Sequence, residues 1–173
     1  TGALAAQDGV EVVAVSEPVE ANRQAMKEHL KVETMGEYDA QDGHLKMIEE
    51  MDLTAVGINS PHTLHHEQAM AAFRAGVHVF IEKPMVVGIK DSVELVEYAE
   101  NNDLLLLVGY QRHYEDQYVT GHNVIRDGLI GDVKRVRVFL AQQYDMTGSW
   151  RADPKYSGGG QINDSGSHLQ DIL

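Results

Sequence analysis

The sequence predicts an α/β fold built on a doubly wound parallel sheet, and three observations carry that expectation. Four short, near-continuous apolar runs occur, at residues 10–16 (VEVVAVS), 54–58 (TAVGI), 77–81 (VHVFI) and 104–108 (LLLLV). Longer segments of helical periodicity lie between them. The strand, helix, strand order recurs along the first two thirds of the chain, which implies right-handed crossovers between parallel strands.

Each element has its own reason. A strand covered by helices on both faces has no wet side, so its residues run apolar without alternation. Segments 19–30, 44–51, 62–75 and 90–101 instead repeat apolar residues at three and four, as in Leu64, Ala69, Ala72 and Phe73, and read as crossover helices. From about Gly109 the rhythm changes. A helix is expected over 116–127, then a Gly-Leu-Ile-Gly turn at 128–131, then a long alternating strand over 133–144, with one face on helices and one in water. The chain therefore divides into residues 1–108 and the start of a second α/β domain, 109–173, whose sheet is open and largely antiparallel.

Composition narrows the chemistry. The 173 residues are 43% hydrophobic and 24% charged, as in a soluble globular protein. No run reaches the roughly 18 apolar residues of a membrane span, and residues 1–9 lack the basic start and apolar stretch of a signal peptide. A cytoplasmic location without membrane partners is expected. The absence of cysteine excludes disulfides and thiolate zinc sites, so redox chemistry requires a borrowed cofactor. A formal charge of −13, with 14 Lys and Arg against 27 Asp and Glu, argues against nucleic acid. The acidic surplus fits either a halophilic source or an ordinary surface far from neutrality.

Glu17-Pro18 closes the first apolar run. An acid just past the second strand of a dinucleotide fold can hold the adenosine ribose, and equally can serve as favourable charge before a helix. A glycine fingerprint should precede such an acid by roughly 20 residues. None is present, so the first strand and phosphate loop are expected before Thr1, with residues 1–9 as the tail of the first helix. Asn59-Ser60-Pro61-His62 follows a buried strand and opens a helix, at the edge where ligands bind; Ser60 and Pro61 also suit a plain helix start. His62, His65 and His66 have no carboxylate at metal-binding spacing, so no metal is expected. Glu82-Lys83-Pro84 puts an ammonium at the end of another buried strand, which is costly unless it meets water, a carboxylate or a ligand. Asp164 and His168, behind the run Gly158-Gly159-Gly160, share one face of any helix that contains them. A carboxylate beside an imidazole can orient it for proton transfer.

These pieces, in this order, resemble the Gfo/Idh/MocA family, named for glucose-fructose oxidoreductase and inositol dehydrogenase. The likeness runs almost end to end: residues 12–18 (VVAVSEP), Ser60-Pro61 with His65, residues 75–79 (AGVHV) leading into Glu82-Lys83-Pro84, Gly109-Tyr110-Gln111-Arg112, the turn at 128–131, Trp150-Arg151, and Gly158-Gly159-Gly160 with Asp164 and His168. The resemblance implies a Rossmann domain, here without its first strand and glycine loop, then a domain whose open sheet commonly joins subunits as a dimer or tetramer. It implies hydride transfer between NAD, with NADP as the alternative, and a hydroxyl carbon of a sugar or polyol. Lys83 would bond the reacting hydroxyl, His168 would take its proton, and Asp164 would bind substrate and orient the histidine. Glu17 would hold the adenosine ribose; Ser60, Pro61, His65 and Glu82 would line the cofactor, with Lys83, Gln111, Arg112, Trp150 and Arg151 near cofactor or substrate. Two rival readings stand beside it: a dehydratase, epimerase or glycosidase type of enzyme that uses NAD transiently, and a non-catalytic binding protein or inactive fragment.

Overall fold

The computed structural model describes residues 5–30, 35–141, 143 and 145–173. Five strands form, all in parallel pairs. Strand β1 (Ala14–Ser16) pairs with β2 (Gly36–Tyr38) in the register Ala14 to Gly36 and Ser16 to Tyr38. Strands β3 (Ala55–Ile58), β4 (His78–Ile81) and β5 (Leu106–Val108) form a second sheet in that order. Helices α1 (Glu20–Leu30), α2 (Gly43–Glu50), α3 (His65–Arg74) and α4 (Ile89–Asn101) connect successive strands, which is the α/β, Rossmann-type arrangement expected. Residues 10–13 add no ladder, so the first strand is shorter than its apolar run. Strand β2 went unforeseen because Gly36-Glu37-Tyr38 contains no apolar run for periodicity to detect.

The core explains why α3 has its sequence. Ala69, Ala72 and Phe73 fall on one face and are 2% exposed or less, so two small residues let the helix approach the sheet while Phe73 fills the space beside them. Ile58, Val79 and Ile81 meet that face, and Leu95 and Ala99 of α4 join the same cluster. Fully burying a side chain such as Phe73, Ile81 or Leu95 contributes about 1.5–3 kcal/mol, so this cluster anchors β3, β4 and β5. The site depends on where those strands end.

Beyond β5 the expectation needs correction. Helix α5 (Asp116–Arg126) forms but buries none of its residues. No strand forms among the described residues of 133–144; Val136 is 56% and Phe139 88% exposed, and Gln142 and Tyr144 lie outside the described residues. The alternation is present in the sequence, yet a strand exists only with a neighbour to pair its N–H and C=O groups, and no described residue pairs with this one. The open, largely antiparallel sheet is therefore absent from the described residues.

Two further helices, α6 (Pro154–Ser157) and α7 (Gly160–Asp171), pack against the loops that follow β3 and β4. Asp153 caps α6 by accepting from Lys155 N at 2.9 Å, and Pro154 occupies its first turn, as helix starts favour. Gly158 ends it at φ 70°, a left-handed conformation suited to glycine. A Cβ there would lie 2.3 Å from Val87 Cγ2, so glycine is required for α6 to sit against the loop between β4 and α4.

Candidate active site

Helix α7 presents Asp164 toward the loop that follows β4. Lys83, two residues past Ile81, donates from Nζ to the Asp164 carbonyl at 3.1 Å and makes a short hydrogen bond to its Oδ1. Arg151 donates from Nε to Oδ2 at 3.1 Å and stacks over Trp150, 4.2 Å from the ring centre. The Lys83 and Asp164 side chains retain 12% and 11% of their exposure, so the pair is largely removed from water, where attraction between charges strengthens. Burial pushes the Asp164 carboxyl up, but the Lys83 hydrogen bond and charge, aided by Arg151, outweigh it and hold the group below its ordinary range. One carboxylate serves two cations, so the cluster carries a net positive charge.

His62 completes this cluster. It is 2% exposed, and its Nδ1 lies 3.0 Å from the Ser157 carbonyl oxygen. A carbonyl only accepts, so Nδ1 must carry the proton. In the neutral ring Nε2 then offers a lone pair toward Asp164 Oδ1, 3.9 Å away. Burial lowers the His62 pKa, opposed by the Ser157 hydrogen bond and the Asp164 charge. The Trp150 ring packs edge-on against it with centres 4.7 Å apart.

His168 lies one turn beyond Asp164 on α7 and is 5% exposed. Burial lowers its pKa, and the Lys83 and Arg112 charges lower it further, so the imidazole is neutral and able to accept a proton near neutral pH. Its Nδ1 is enclosed and has no hydrogen-bond partner among the described residues. No hydrogen bond joins the Asp164 and His168 side chains; the carboxylate faces Lys83 and Arg151 instead. The ring rests edge-on against Tyr110, with centres 6.1 Å apart. Tyr110, at the end of β5, has its phenol pKa raised by burial, while its hydrogen bond to Ser167 works in the opposite direction.

A cleft of about 540 Å³ opens between the carboxyl ends of β1 and β3, bounded by residues 16–19, residues 59–61 and Trp150. Its size suits a ligand site. Val15, Val56 and Ile58 form apolar walls, and Glu17, Asn59 and Ser60 supply polar groups, so the donors and acceptors present fit a dinucleotide laid across the strand ends. No glycine fingerprint for the pyrophosphate occurs in the sequence. Glu17 accepts from Val19 N at 2.9 Å, and its carbonyl accepts from Arg23 Nη1 at 2.6 Å.

The other expected residues divide. Ser60 donates to Gln68 Oε1 at 2.6 Å and, with Pro61, lines the cleft. His65 is fully enclosed, with its ring nitrogens 2.9 Å from the Pro84 and Ser60 carbonyl oxygens, so it braces two strand-end loops and is not among the cleft's lining residues. Glu82 packs near Gly109, where a Cβ would meet its Oε1 at 3.3 Å. Arg151 joins the Lys83 and Asp164 cluster, whereas Gln111 is exposed and Arg112 half-buried. His62, His65 and His66 diverge toward Ser157, Pro84 and Glu94 respectively. His62 and Tyr110 are contributors to which the sequence reading gave no site role, although they lie four and two residues past the ends of β3 and β5.

Comparison with known proteins agrees with this architecture. Residues 2–110 match the model of the oxidoreductase family with an NAD-binding Rossmann fold, and residues 118–173 that of the GFO/IDH/MocA C-terminal domain. An inositol 2-dehydrogenase of Salmonella typhimurium is 33% identical over 124 residues, covering 71% of this chain and 36% of that protein. The chain thus spans little more than a third of that relative. A crystal structure of scyllo-inositol dehydrogenase from Lactobacillus casei, with bound NAD(H) and scyllo-inositol, superposes with a TM-score of 0.65 at 26% identity, covering 75% of this chain and 37% of that one. An NAD-binding protein from Listeria innocua covers 99% of this chain and 48% of its own length, with a TM-score of 0.80 at 26% identity. The chain belongs to the GFO/IDH/MocA family of NAD-binding oxidoreductases.

Proposed function

We propose that the protein transfers a hydride between a nicotinamide cofactor and a hydroxyl-bearing carbon of a polyol or sugar, with Lys83, Asp164 and His168 as its catalytic residues. The observation that carries this reading is the Lys83 and Asp164 pair beside a neutral, buried His168. A bound nicotinamide supplies the hydride acceptor or donor. Lys83 has three N–H donors; two go to Asp164, which leaves one for a substrate hydroxyl. As that hydroxyl loses its proton, the ammonium faces growing negative charge, and the cluster's net positive charge favours that state. His168 takes the proton. Asp164 holds the ammonium in place, Arg151 holds Asp164, and His62 packs beside it. Glu17 is assigned to the adenosine ribose, and Ser60, Pro61 and Trp150 to the rest of the cofactor cleft. Gln111 and Arg112 are assigned to its outer rim, and the division of the chain at residue 108 belongs to the same reading.

The polyol assignment rests on the inositol dehydrogenases among the relatives. The test uses the protein produced from the whole reading frame, first with NAD in a calorimeter and then with inositols and simple sugars while NADH absorbance is followed. NADH formation with at least one polyol or sugar is expected. Lys83→Ala should reduce turnover by about two to three decades while changing NAD affinity little, because its charge acts mainly in the transition state. NAD binding with no NADH from any polyol or sugar would overturn hydride transfer to substrate and favour transient use of the cofactor.

A further inference from the structure

Three charged side chains behind Glu17 take no part in the chemistry described so far. Arg23, on the first turns of α1, is 8% exposed. Its guanidinium donates to the Glu17 carbonyl at 2.6 Å and, through Nε, to Glu37 Oε2 at 3.3 Å. Lys27, one turn further on the same helix face, makes a short contact to Glu37 Oε1. Glu37 lies on β2, directly opposite Val15 of β1. Two cations therefore converge on one carboxylate, immediately behind the residue assigned to the adenosine ribose.

In dinucleotide folds an acid at this position favours NAD, whereas a nearby arginine accommodates the 2′-phosphate of NADP. Both devices are present here. The arginine lies within hydrogen-bond reach of the Glu17 main chain, and the chain has spent a second acid on it. Arg23, Lys27 and Glu37 together carry one net positive charge, which Glu17 cancels, so a phosphate arriving at the ribose meets a four-residue set with no net charge.

We propose that Glu37 is a cofactor-selecting residue: by pairing with Arg23 and Lys27 and offsetting one of their two charges it denies a 2′-phosphate the cations that stand behind Glu17. The proposal rests on the assignment of Glu17 to the adenosine ribose. It differs from the single-acid rule in locating half of the discrimination on the neighbouring strand, in a residue with no required contact to the cofactor. Removing Glu17 alone would relieve repulsion but leave the cations occupied; removing Glu37 as well would release them.

The experiment measures dissociation constants for NAD and NADP by calorimetry on the whole-reading-frame protein, as wild type, Glu17→Ser, Glu37→Gln, the double variant, and the double variant with Arg23→Gln. In the Glu17→Ser background, Glu37→Gln should tighten NADP binding about fivefold or more at low salt, the scale expected of one partly screened charge. NAD affinity should change by less than about twofold, and high salt should shrink the gain. Arg23→Gln should abolish most of it. Equal NADP affinity in Glu17→Ser and the double variant would overturn the proposal while leaving the ribose assignment intact. A gain that survives Arg23→Gln, or a large loss of NAD affinity in Glu37→Gln, would overturn it too, the latter marking Glu37 as a brace. Wild type that binds neither dinucleotide would overturn both the proposal and the reading beneath it.

Discussion

Gly158→Ala tests how α6 and α7, the latter bearing Asp164 and His168, are fixed. The perturbation has two separable parts. Gly158 sits at φ 70°, and a left-handed conformation costs a Cβ-bearing residue about 1–2 kcal/mol. The added Cβ would also lie 2.3 Å from Val87 Cγ2, 2.9 Å from Val87 Cγ1 and 3.2 Å from Thr63 Cγ2, and forced overpacking costs typically about 1–3 kcal/mol. The sum, about 2–5 kcal/mol, should lower the thermal midpoint by roughly 5–15 °C for a chain of this size. Circular dichroism melts of the chain and its variants measure it. Val87→Ala removes both Cγ atoms from a residue already 39% exposed, so alone it should matter little, yet combined with Gly158→Ala it should restore the steric part and leave only the backbone part. A drop below about 2 °C for Gly158→Ala, or no recovery in the double variant, would refute the packing argument.

Three further outcomes follow from the same geometry. His168→Ala should give a turnover loss that rising pH partly offsets, because hydroxide can remove a proton but cannot replace a fixed charge; pH profiles beside those of Lys83→Ala, which should show no such recovery, check it. Arg151→Ala should lower the stability of Asp164's anionic form and shift its carboxyl pKa upward from its lowered position, measurable as a higher acid midpoint of unfolding. The chain should also lose stability in two acid stages. The pKa values of His62 and His168 lie below the ordinary 6.5 in the folded state, so the unfolded chain binds more protons as pH falls below 6.5; that of Asp164 lies below 3.8, so a second loss begins below 3.8. Denaturation midpoints measured across pH would reveal both stages, and Asp164→Asn should shrink the second, to which the lowered carboxyls of Glu37 and Asp145 also contribute.

Strand ends and crossover helices could be read from the sequence because burial on both faces leaves a one-dimensional trace. Residues 77–81 are apolar apart from His78, and β4 follows with Ile81 fully enclosed. Lys83 is legible for a related reason: an ammonium immediately after such a run needs a partner, and Asp164 supplies it. The shortfalls also have physical causes. Strand β2 carries a glycine, a glutamate and a tyrosine, so nothing in its pattern separates it from a loop. The expected strand at 133–144 shows that alternation specifies which faces a strand would present, while pairing decides whether it exists. Asp164 and His168 do share a face of α7, but no hydrogen bond joins their side chains: four residues along a helix set a common face, while the two cations set where the carboxylate points.

Asp164 is accordingly the joint between the two halves of the site. Its main chain belongs to α7, yet both carboxylate oxygens are used outside that helix, by Lys83 from the end of β4 and by Arg151 from the turn before α6. Gly158 and the bond between His62 and the Ser157 carbonyl hold the same helices against the loops after β3 and β4. Electrostatics and packing thus constrain the same placement. Asp164→Asn would keep the shape while withdrawing the charge, leaving Lys83 and Arg151 to repel one another in a region largely closed to water. Breaking a buried pair in this way costs about 3–5 kcal/mol because the remaining charge has no compensation. Placement of the Lys83 ammonium and cohesion of the two segments therefore depend on one side chain, and a variant that weakens either should weaken both.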